Sequence, residues 1–276
     1  AFSIAGSVYK PLKQTQLIGH KNFFAFIACL LPIFIGFILP ILELSYWAFN
    51  YKLDFFNQKF ISTALNTLYL SITAAFLCTL LALIINFSIR YKSNNLLKFL
   101  SSFLTVGYAV PGLILAIGIM RLLTFLDRSF TIEIFNLVLT GSLAGLMMAY
   151  IIKSYALSST TFDAGFQRIS PRIDDVAKSL KTSGWNLLSR IHIPLLKTSF
   201  LTSMLLVVAE VIKELPATLI LRPFNFDTLA VATYIYAAEE RMYDAAAPSI
   251  SIVLVGLIPI IILTRLIRTS RPASRD

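Results

Sequence analysis

The sequence predicts an all-α polytopic membrane protein with six transmembrane helices. Of its 276 residues, 57% are hydrophobic and only 14% are charged, and the mean hydropathy is +0.77. The apolar residues are grouped in runs of about 20, the length that crosses a hydrocarbon layer of roughly 30 Å. The basic residues are concentrated in alternate connecting segments, as expected of a chain that crosses a membrane repeatedly.

Six segments are long and apolar enough to cross the bilayer. The third is interrupted by Gly107, Pro111 and Gly112, which is tolerated in a membrane only where neighbouring protein satisfies the freed backbone groups. This span is therefore expected inside the helix bundle. The predicted spans are 22–47, 62–88, 99–122, 133–152, 199–221 and 246–264.

The distribution of Lys and Arg predicts the orientation of these spans. With the N-terminus in the cytoplasm, 17 basic residues lie on the cytoplasmic side and six on the other, while Lys213 lies within a span. The 17 include Lys153, which is taken to follow the fourth span. Because cytoplasmic connections carry the excess of basic residues, both termini are expected in the cytoplasm.

Composition also excludes several functional classes. The net charge of +10 is spread over separate connecting segments and not over one folded polar face, so nucleic acid is not an expected partner. Cys29 and Cys78 lie in apolar runs, where cysteine behaves as a small hydrophobic residue. No His, Cys or carboxylate spacing is diagnostic of a metal site. The sequence has no phosphate-binding P-loop, so the chain is not expected to be an enzyme, and ATP, if used, must bind a partner.

The longest polar interruption, near residues 170–196, predicts two short amphipathic helices. Ser170 and Pro171 are a helix-starting pair, and Asp174 and Asp175 fall in the first turn, where the helix dipole favours anions. The first helix should end near Ser183–Gly184, and a second, from Trp185 to Ile193, should end at Pro194. One apolar face of the first helix is predicted from helical spacing: Ile173, Val176, Ala177 and Leu180. From these residues alone, a contact with another protein and a segment lying on the membrane surface remain alternatives.

This segment resembles the EAA loop of binding-protein-dependent ABC transporter permeases. Asp175-Val176-Ala177 stands where that family has Glu-Ala-Ala, and Ile191-His192-Ile193-Pro194 matches its Ile-x-Leu-Pro end. Lys181 occupies the position of the family's glycine, and Gly184 is available to form the bend instead. The resemblance implies that the segment is a coupling helix that docks on a cytoplasmic ATPase. The residues it assigns to that contact are Asp175, Val176, Ala177, Leu180, Lys181, Gly184, Ile191 and Pro194.

A second stretch, residues 213–249, is similar to ferric-iron permeases of the Fbp type. The shared features include "KELPATLILRPFNFDTLA" and, in the third span, "AVPGLILAIGI". Such permeases carry two six-helix halves in one chain, whereas these 276 residues show no internal repeat. The resemblance therefore implies one half, most like the C-terminal half, or a subunit that pairs with a second copy.

The resemblance also implies the fold, the partners and the location. The fold would be that of a type I ABC importer permease in a bacterial inner membrane, surrounded by lipid. The partners would be a cytoplasmic ABC ATPase dimer that holds ATP and Mg²⁺, a second permease half or copy, and a periplasmic ferric-binding protein. The expected segments are a cytoplasmic N-terminal segment at 1–21, a transmembrane domain at 22–268 that contains the coupling loop at 158–197, and a cytoplasmic tail at 269–276.

The fifth span carries the charges that could line a translocation path. Glu210, Lys213 and Glu214 share one helical face just before Pro216, which is expected to break the helix. Charge inside a membrane segment is costly unless it has a partner or a function. These residues are hypothesised either to line the path of a ferric ion or to neutralise one another as a structural network. His192, in contrast, is expected to be solvated or to act as a cap.

Three alternative functions remain open. Another ABC substrate, such as a polyamine or thiamine, would use the same fold. An ion-coupled secondary transporter would use the charges of the fifth span and need no ATPase, but it would have no use for a docking helix. A structural membrane protein would leave the broken third span and the charged fifth span unexplained.

Overall fold

The computed structural model of the chain describes residues 17–51, 57–92, 94–128 and 139–270. These residues form helices with short connections, and no strand occurs among them. The predicted all-α class is confirmed. The helices are α1 His20–Asn50, α2 Gln58–Tyr91, α3 Asn95–Val106, α4 Gly112–Leu126, α5 Leu143–Gln167, α6 Pro171–Ser179, α7 Gly184–Leu195, α8 Lys197–Ile212, α9 Pro216–Leu221, α10 Leu229–Ala238 and α11 Met242–Ser270.

Three long apolar helices correspond to the first, second and sixth predicted spans. Within the described residues, α1, α2 and α11 are long and apolar enough to cross a membrane, and the bent pair of α7 and α8 could provide a fourth crossing. The other predicted spans are helices that are broken or that carry charge, which is consistent with a six-span permease. Residues 1–16 of the predicted N-terminal segment and 271–276 of the predicted tail lie outside the described residues.

The third predicted span is broken where the sequence places its helix breakers. Helix α3 passes into a short 3-10 turn at Gly107–Ala109, and α4 begins at Gly112 after Pro111. A methyl group at Gly107 would lie 2.6 Å from the carbonyl oxygen of Ile152 on α5. The break therefore packs tightly against another helix, as expected of interrupted backbone in a membrane.

The predicted inner boundary of the fourth span is wrong. Residues 133–138 lie outside the described residues, but α5 begins at Leu143 and continues to Gln167, well beyond the predicted end at residue 152. The sequence interpretation treated Lys153 as the end of the span because a charge interrupts an apolar run. In the structure, Lys153 lies within α5 and pairs with a carboxylate of another helix, so the helix continues through it.

The centre of the molecule is formed by α2, α5 and α8, which pack through small side chains. Ala74 and Ala82 of α2 and Ala149 of α5 are fully buried, and small residues allow helix backbones to approach closely. Hydroxyl groups connect the same helices, since the Ser203 hydroxyl of α8 lies 2.9 Å from those of both Thr79 and Ser158. These contacts hold the three helices in a fixed register.

The sequence interpretation predicted neither helix α10 nor the first residues of α11, which begins at Met242 and not at residue 246. Helix α10 is only ten residues long, too short to give the signal of a span. It is anchored to α2, where the Thr67 hydroxyl accepts a hydrogen bond of 2.9 Å from the Leu229 backbone N–H. Near the start of α11, Tyr243 stacks on Tyr51 with ring centroids 3.9 Å apart and meets Trp47 edge-on at 5.6 Å.

We predict that Ser183 and Asn57 lie on opposite sides of the membrane. Removing Lys153 from the cytoplasmic group leaves 16 basic residues against six, so the expected orientation is unchanged. Both positions are exposed, and Ser183→Cys and Asn57→Cys should react with a membrane-impermeant maleimide from opposite sides. The background should be Cys29→Ser, because Cys29 is exposed whereas Cys78 is buried. Labelling of both positions from one side would contradict the topology.

Candidate coupling segment and intramembrane charge pairs

The first short helix of the polar segment, α6, begins where the sequence predicts but ends at Ser179, four residues before the predicted break at Ser183–Gly184. Ser170 precedes it and Pro171 is its first residue. At its end, the Lys181 N–H donates to the Lys178 carbonyl and the Thr182 N–H to the Ala177 carbonyl, both at 2.9 Å. This pair of bonds is the Schellman motif, which requires a left-handed residue just after the helix.

Lys181 itself supplies that left-handed residue. Its φ is +57°, a conformation that costs a non-glycine residue on the order of 1–2 kcal/mol. The turn thus occurs at the position of the permease motif's glycine. Gly184, which was expected to form the bend instead, has a φ of +56° and begins the next helix.

The second short helix, α7, does not end at Pro194. It contains a π-helical turn at Leu188–His192 and continues to Leu195. The wider turn accommodates Pro194, which has no N–H to donate to the preceding turn. The chain then bends by 76° into α8. Ile191, another predicted contact residue, packs against the core.

The predicted apolar face of α6 is divided between the interior and the surface. Ala177 is buried in the chain's own core, so its methyl group is not available to a partner. Val176 and Leu180 are 60% and 74% exposed. The sequence interpretation missed Trp185, which is also exposed and extends this surface onto α7. Asp175 and Lys181 are exposed beside it.

The expectation that His192 is solvated or a cap is wrong. Its ring is fully buried between those of Phe87 and Phe166, with centroids 5.5 Å away on both sides. Its Nε2 lies 2.9 Å from Asp174 Oδ1. Burial lowers the pKa of His192 below its ordinary value, although Asp174 acts in the opposite direction.

Asp174 also binds Arg90 in the last turn of α2. The Arg90 Nε donates to Asp174 Oδ2 at 2.8 Å, and its two terminal nitrogens donate to the carbonyls of Phe166 at 2.6 Å and Ile169 at 3.0 Å. Sequence analysis could not identify this contact, because Arg90 and Asp174 are 84 residues apart.

The charges of the fifth predicted span form two separate pairs. Lys213 binds Glu210 at 3.0 Å, one turn away, and its side chain is 63% exposed. Glu214 instead binds Lys153 of α5. The hypothesis that Lys213 neutralises both carboxylates is therefore wrong, since Glu214 is bound to Lys153. The sequence interpretation missed this partner because it assigned Lys153 to the cytoplasmic loop.

The Glu214 carboxylate is enclosed on all sides. It is 6% exposed, and its second oxygen, Oε1, accepts a hydrogen bond of 3.2 Å from the Ala217 N–H at the start of α9. A methyl group at Gly112 would lie 2.8 Å from this oxygen, so α4 can approach only because residue 112 has no side chain. One carboxylate thus connects α5, α8, α9 and α4.

Among the described residues, no group of three or more His, Cys, Asp or Glu side chains could hold a metal ion. Both carboxylates near the end of α8 are already bound to lysines. Each of the two carboxylates is therefore neutralised by a lysine. Lys213 has the most exposed side chain of these four charged residues.

We predict that Glu214→Gln lowers the amount of folded protein in the membrane. The substitution leaves the Lys153 ammonium unpaired, and breaking a buried ion pair from one side costs about 3–5 kcal/mol. The double variant Glu214→Gln with Lys153→Met should recover much of the loss, because it removes the stranded charge. Fluorescence-detected size-exclusion chromatography measures the folded fraction.

Lys213→Met is the matched control for this rescue. It removes a lysine of the same segment that does not contact Glu214, and it should not restore Glu214→Gln. Recovery by Lys213→Met, or no recovery by Lys153→Met, would contradict the observed pairing.

Comparison with known proteins identifies a family for most of the chain. Residues 79–275 match the binding-protein-dependent transport system inner membrane component family. The permease protein FbpB 2 of an Fe(3+)-transport system in Haemophilus influenzae is 24% identical over 249 residues. That match covers 88% of this chain and 46% of the relative, so the chain spans about half of the ferric relative's length.

Two other similar proteins are named for different transported molecules. The putative 2-aminoethylphosphonate transport system permease protein PhnV of Salmonella typhimurium is 26% identical, covering 79% of this chain and 80% of the relative. A crystal structure of a bacterial alginate ABC transporter, in complex with an alginate pentasaccharide-bound periplasmic protein, matches with a TM-score of 0.64 and 19% identity. That match covers 93% of this chain and 97% of the other.

The structural likeness extends over nearly the whole chain, which has the type I ABC importer permease fold. The family match includes the segment with the Schellman turn at Lys181 and all of the intramembrane charge pairs. The chain is therefore a member of the binding-protein-dependent transport system inner membrane component family.

Proposed function

We propose that this chain is the transmembrane half of an ABC importer that passes ferric iron from a periplasmic binding protein to the cytoplasm by alternating access. ATP and Mg²⁺ are held by a separate ATPase dimer, and the chain itself catalyses no reaction. It lies in a bacterial inner membrane with both termini in the cytoplasm. The similarity of residues 213–249 to ferric permeases and the match to the Fe(3+)-transport relative support iron as the substrate.

The observation that carries the proposal is the exposed apolar surface of the coupling segment, formed by Val176, Leu180 and Trp185. If every apolar residue of the segment packed on the protein's own core, as Ala177 does, these side chains would be buried too. Asp175 and Lys181 beside them are exposed and can form polar contacts at the rim of an interface. The ATPase is the partner that this surface would bind.

A second permease half or copy is the other partner in the membrane. None of the residues in the most apolar stretch of α1 is buried within the described chain. The first part of α1, His20–Ile33, contains no buried residue either. This surface is available to lipid and to the second half. The length of the ferric relative, of which this chain spans 46%, fits a transporter that requires two such halves.

An anionic substrate is the second candidate, and the lysines favour it. The Glu210 and Glu214 carboxylates are bound to lysines, whereas the Lys213 side chain is 63% exposed. A small anion such as a phosphonate would compete with Glu210 for this exposed side chain. PhnV, the relative named for 2-aminoethylphosphonate transport, makes this class the natural alternative.

Uptake into proteoliposomes that contain the transporter tests the function and separates the two substrates. Binding-protein-dependent, ATP-dependent accumulation of ⁵⁵Fe(III) is the expected result, and accumulation of labelled 2-aminoethylphosphonate instead would select the anion. Transport of either without ATP or an ATPase would contradict the ABC mechanism.

We predict that the two members of the exposed pair affect the substrates in opposite ways. If the cargo is ferric iron, Glu210→Gln should lower uptake, because it leaves Lys213 as an unbalanced cation facing the path. If the cargo is an anion, Lys213→Gln should lower uptake and Glu210→Gln should not. Initial uptake rates at matched membrane abundance measure both effects, and equal full rates for both variants would exclude this pair from the path.

We also predict that Val176→Asp and Leu180→Asp weaken binding of the ATPase at normal membrane abundance. Each introduces a carboxylate into an apolar contact, which costs several kcal/mol if it stays unpaired. Co-purification of the ATPase with the tagged chain measures the effect.

Ala177→Asp is the contrasting variant on the same helix. Because Ala177 is buried in the chain's own core, this change should reduce folded protein and not merely ATPase binding. Undiminished co-purification with both surface variants would show that this face does not meet the ATPase.

A further inference from the structure

Arg90 occupies an unusual position at the inner end of α2. All three nitrogens of its guanidinium donate hydrogen bonds to groups of other elements: Asp174 of α6 and the carbonyls of Phe166 and Ile169. Those carbonyls lie at and just beyond the C-terminal end of α5, where the helix dipole favours a cation. The side chain is 17% exposed.

Asp174 extends this contact to a fourth element. Its second oxygen lies against the buried ring of His192 on α7, and that ring is held between Phe87 of α2 and Phe166 of α5. Its neighbour Asp175, which stands at the motif's Glu position, is exposed. The two adjacent aspartates therefore have different surroundings, one facing inward and the other outward.

We propose that Arg90 is a positioning residue that makes the inner ends of α2 and α5 move as one body with α6. The proposal rests on the proposed function, because α6 is displaced only if an ATPase moves it. A planar guanidinium fixes three acceptors in one geometry, whereas a lysine ammonium is a point charge on a flexible stem and cannot hold all three. Movement of α6 is thereby transmitted directly to α2 and α5, and not only through the connection at 168–170.

The test measures the distance between α2 and α6 in the full transporter with its ABC ATPase. Nitroxide labels are attached at Tyr91→Cys and Ser179→Cys in a Cys29→Ser background, since both positions are exposed and near the contact. A second label pair, Phe49→Cys with Ser179→Cys, reports movement of α6 relative to α1, which is not part of the proposed body and where Phe49 is exposed. Distances are measured by pulsed electron paramagnetic resonance with and without AMP-PNP and Mg²⁺.

In the unmodified transporter, the nucleotide should change the 49–179 distance by more than about 2 Å but leave the 91–179 distance within about 1 Å, because α2 and α6 then move as one body. In Arg90→Lys, the 91–179 distance should change with nucleotide by more than about 2 Å, and stimulation of ATP hydrolysis by the loaded binding protein should fall at least about fivefold. Asp174→Asn, which keeps both carbonyl bonds of Arg90, should show the same changes. Arg168→Lys is the matched control, because Arg168 is exposed beside the contact, and it should behave as the unmodified protein.

The outcomes separate this inference from the proposed function. If nucleotide moves neither label pair in the unmodified protein because no ATPase binds, the proposed function fails. If the unmodified protein responds and Arg90→Lys and Asp174→Asn respond identically to it, the inference alone is overturned. Loss of folded protein in both variants, with Arg168→Lys normal, would assign Arg90 a purely structural role and would also overturn the inference.

Discussion

The structure depends on the rule that a charge within the apolar region must find its partner inside the protein. Lys153 and Glu214 satisfy this rule for each other across two helices. Their pairing allows α5 to continue through a lysine. The second Glu214 oxygen accepts a hydrogen bond from the Ala217 N–H, the first N–H of α9 after Pro216, so the break after α8 is also satisfied. Gly112 permits α4 to lie against this site.

A second charged residue finds its partners at the C-terminal ends of α2 and α5. There, Arg90 joins α2 to the end of α5 and to α6, and its contacts are hydrogen bonds with fixed directions. Between the two charged sites, α2, α5 and α8 pack through alanine methyls and serine hydroxyls. A closely packed interior of this kind transmits displacement instead of absorbing it. The candidate coupling segment, residues 170–196, is therefore attached to a stiff centre, while Val176, Leu180 and Trp185 remain on the surface.

Much of the fold follows from the sequence, because long apolar runs and prolines act locally. Helices α1, α2 and α11 and the breaks near Pro111 and Pro216 were predicted in this way. The start of α6 at Pro171 was also predicted, since its cap and dipole signals lie within one turn.

The partners of the charged groups could not be predicted, because they depend on contacts distant in sequence. Lys153 and Glu214 are 61 residues apart, and a hydropathy window treats the lysine as the end of a span. The burial of Ala177 and His192 likewise depends on how the polar segment folds back against α2 and α5. Helical spacing identified an apolar face on α6 but could not determine which of its residues face inward.

Hydrogen–deuterium exchange of the chain in lipid nanodiscs, with and without its ABC ATPase, tests most directly the claim that segment 170–196 receives the ATPase. The account predicts that bound ATPase slows exchange most strongly in the last turn of α6 and the first turn of α7, around Leu180 and Trp185. Unchanged exchange in these turns, with slowing confined to another connecting segment, would contradict it.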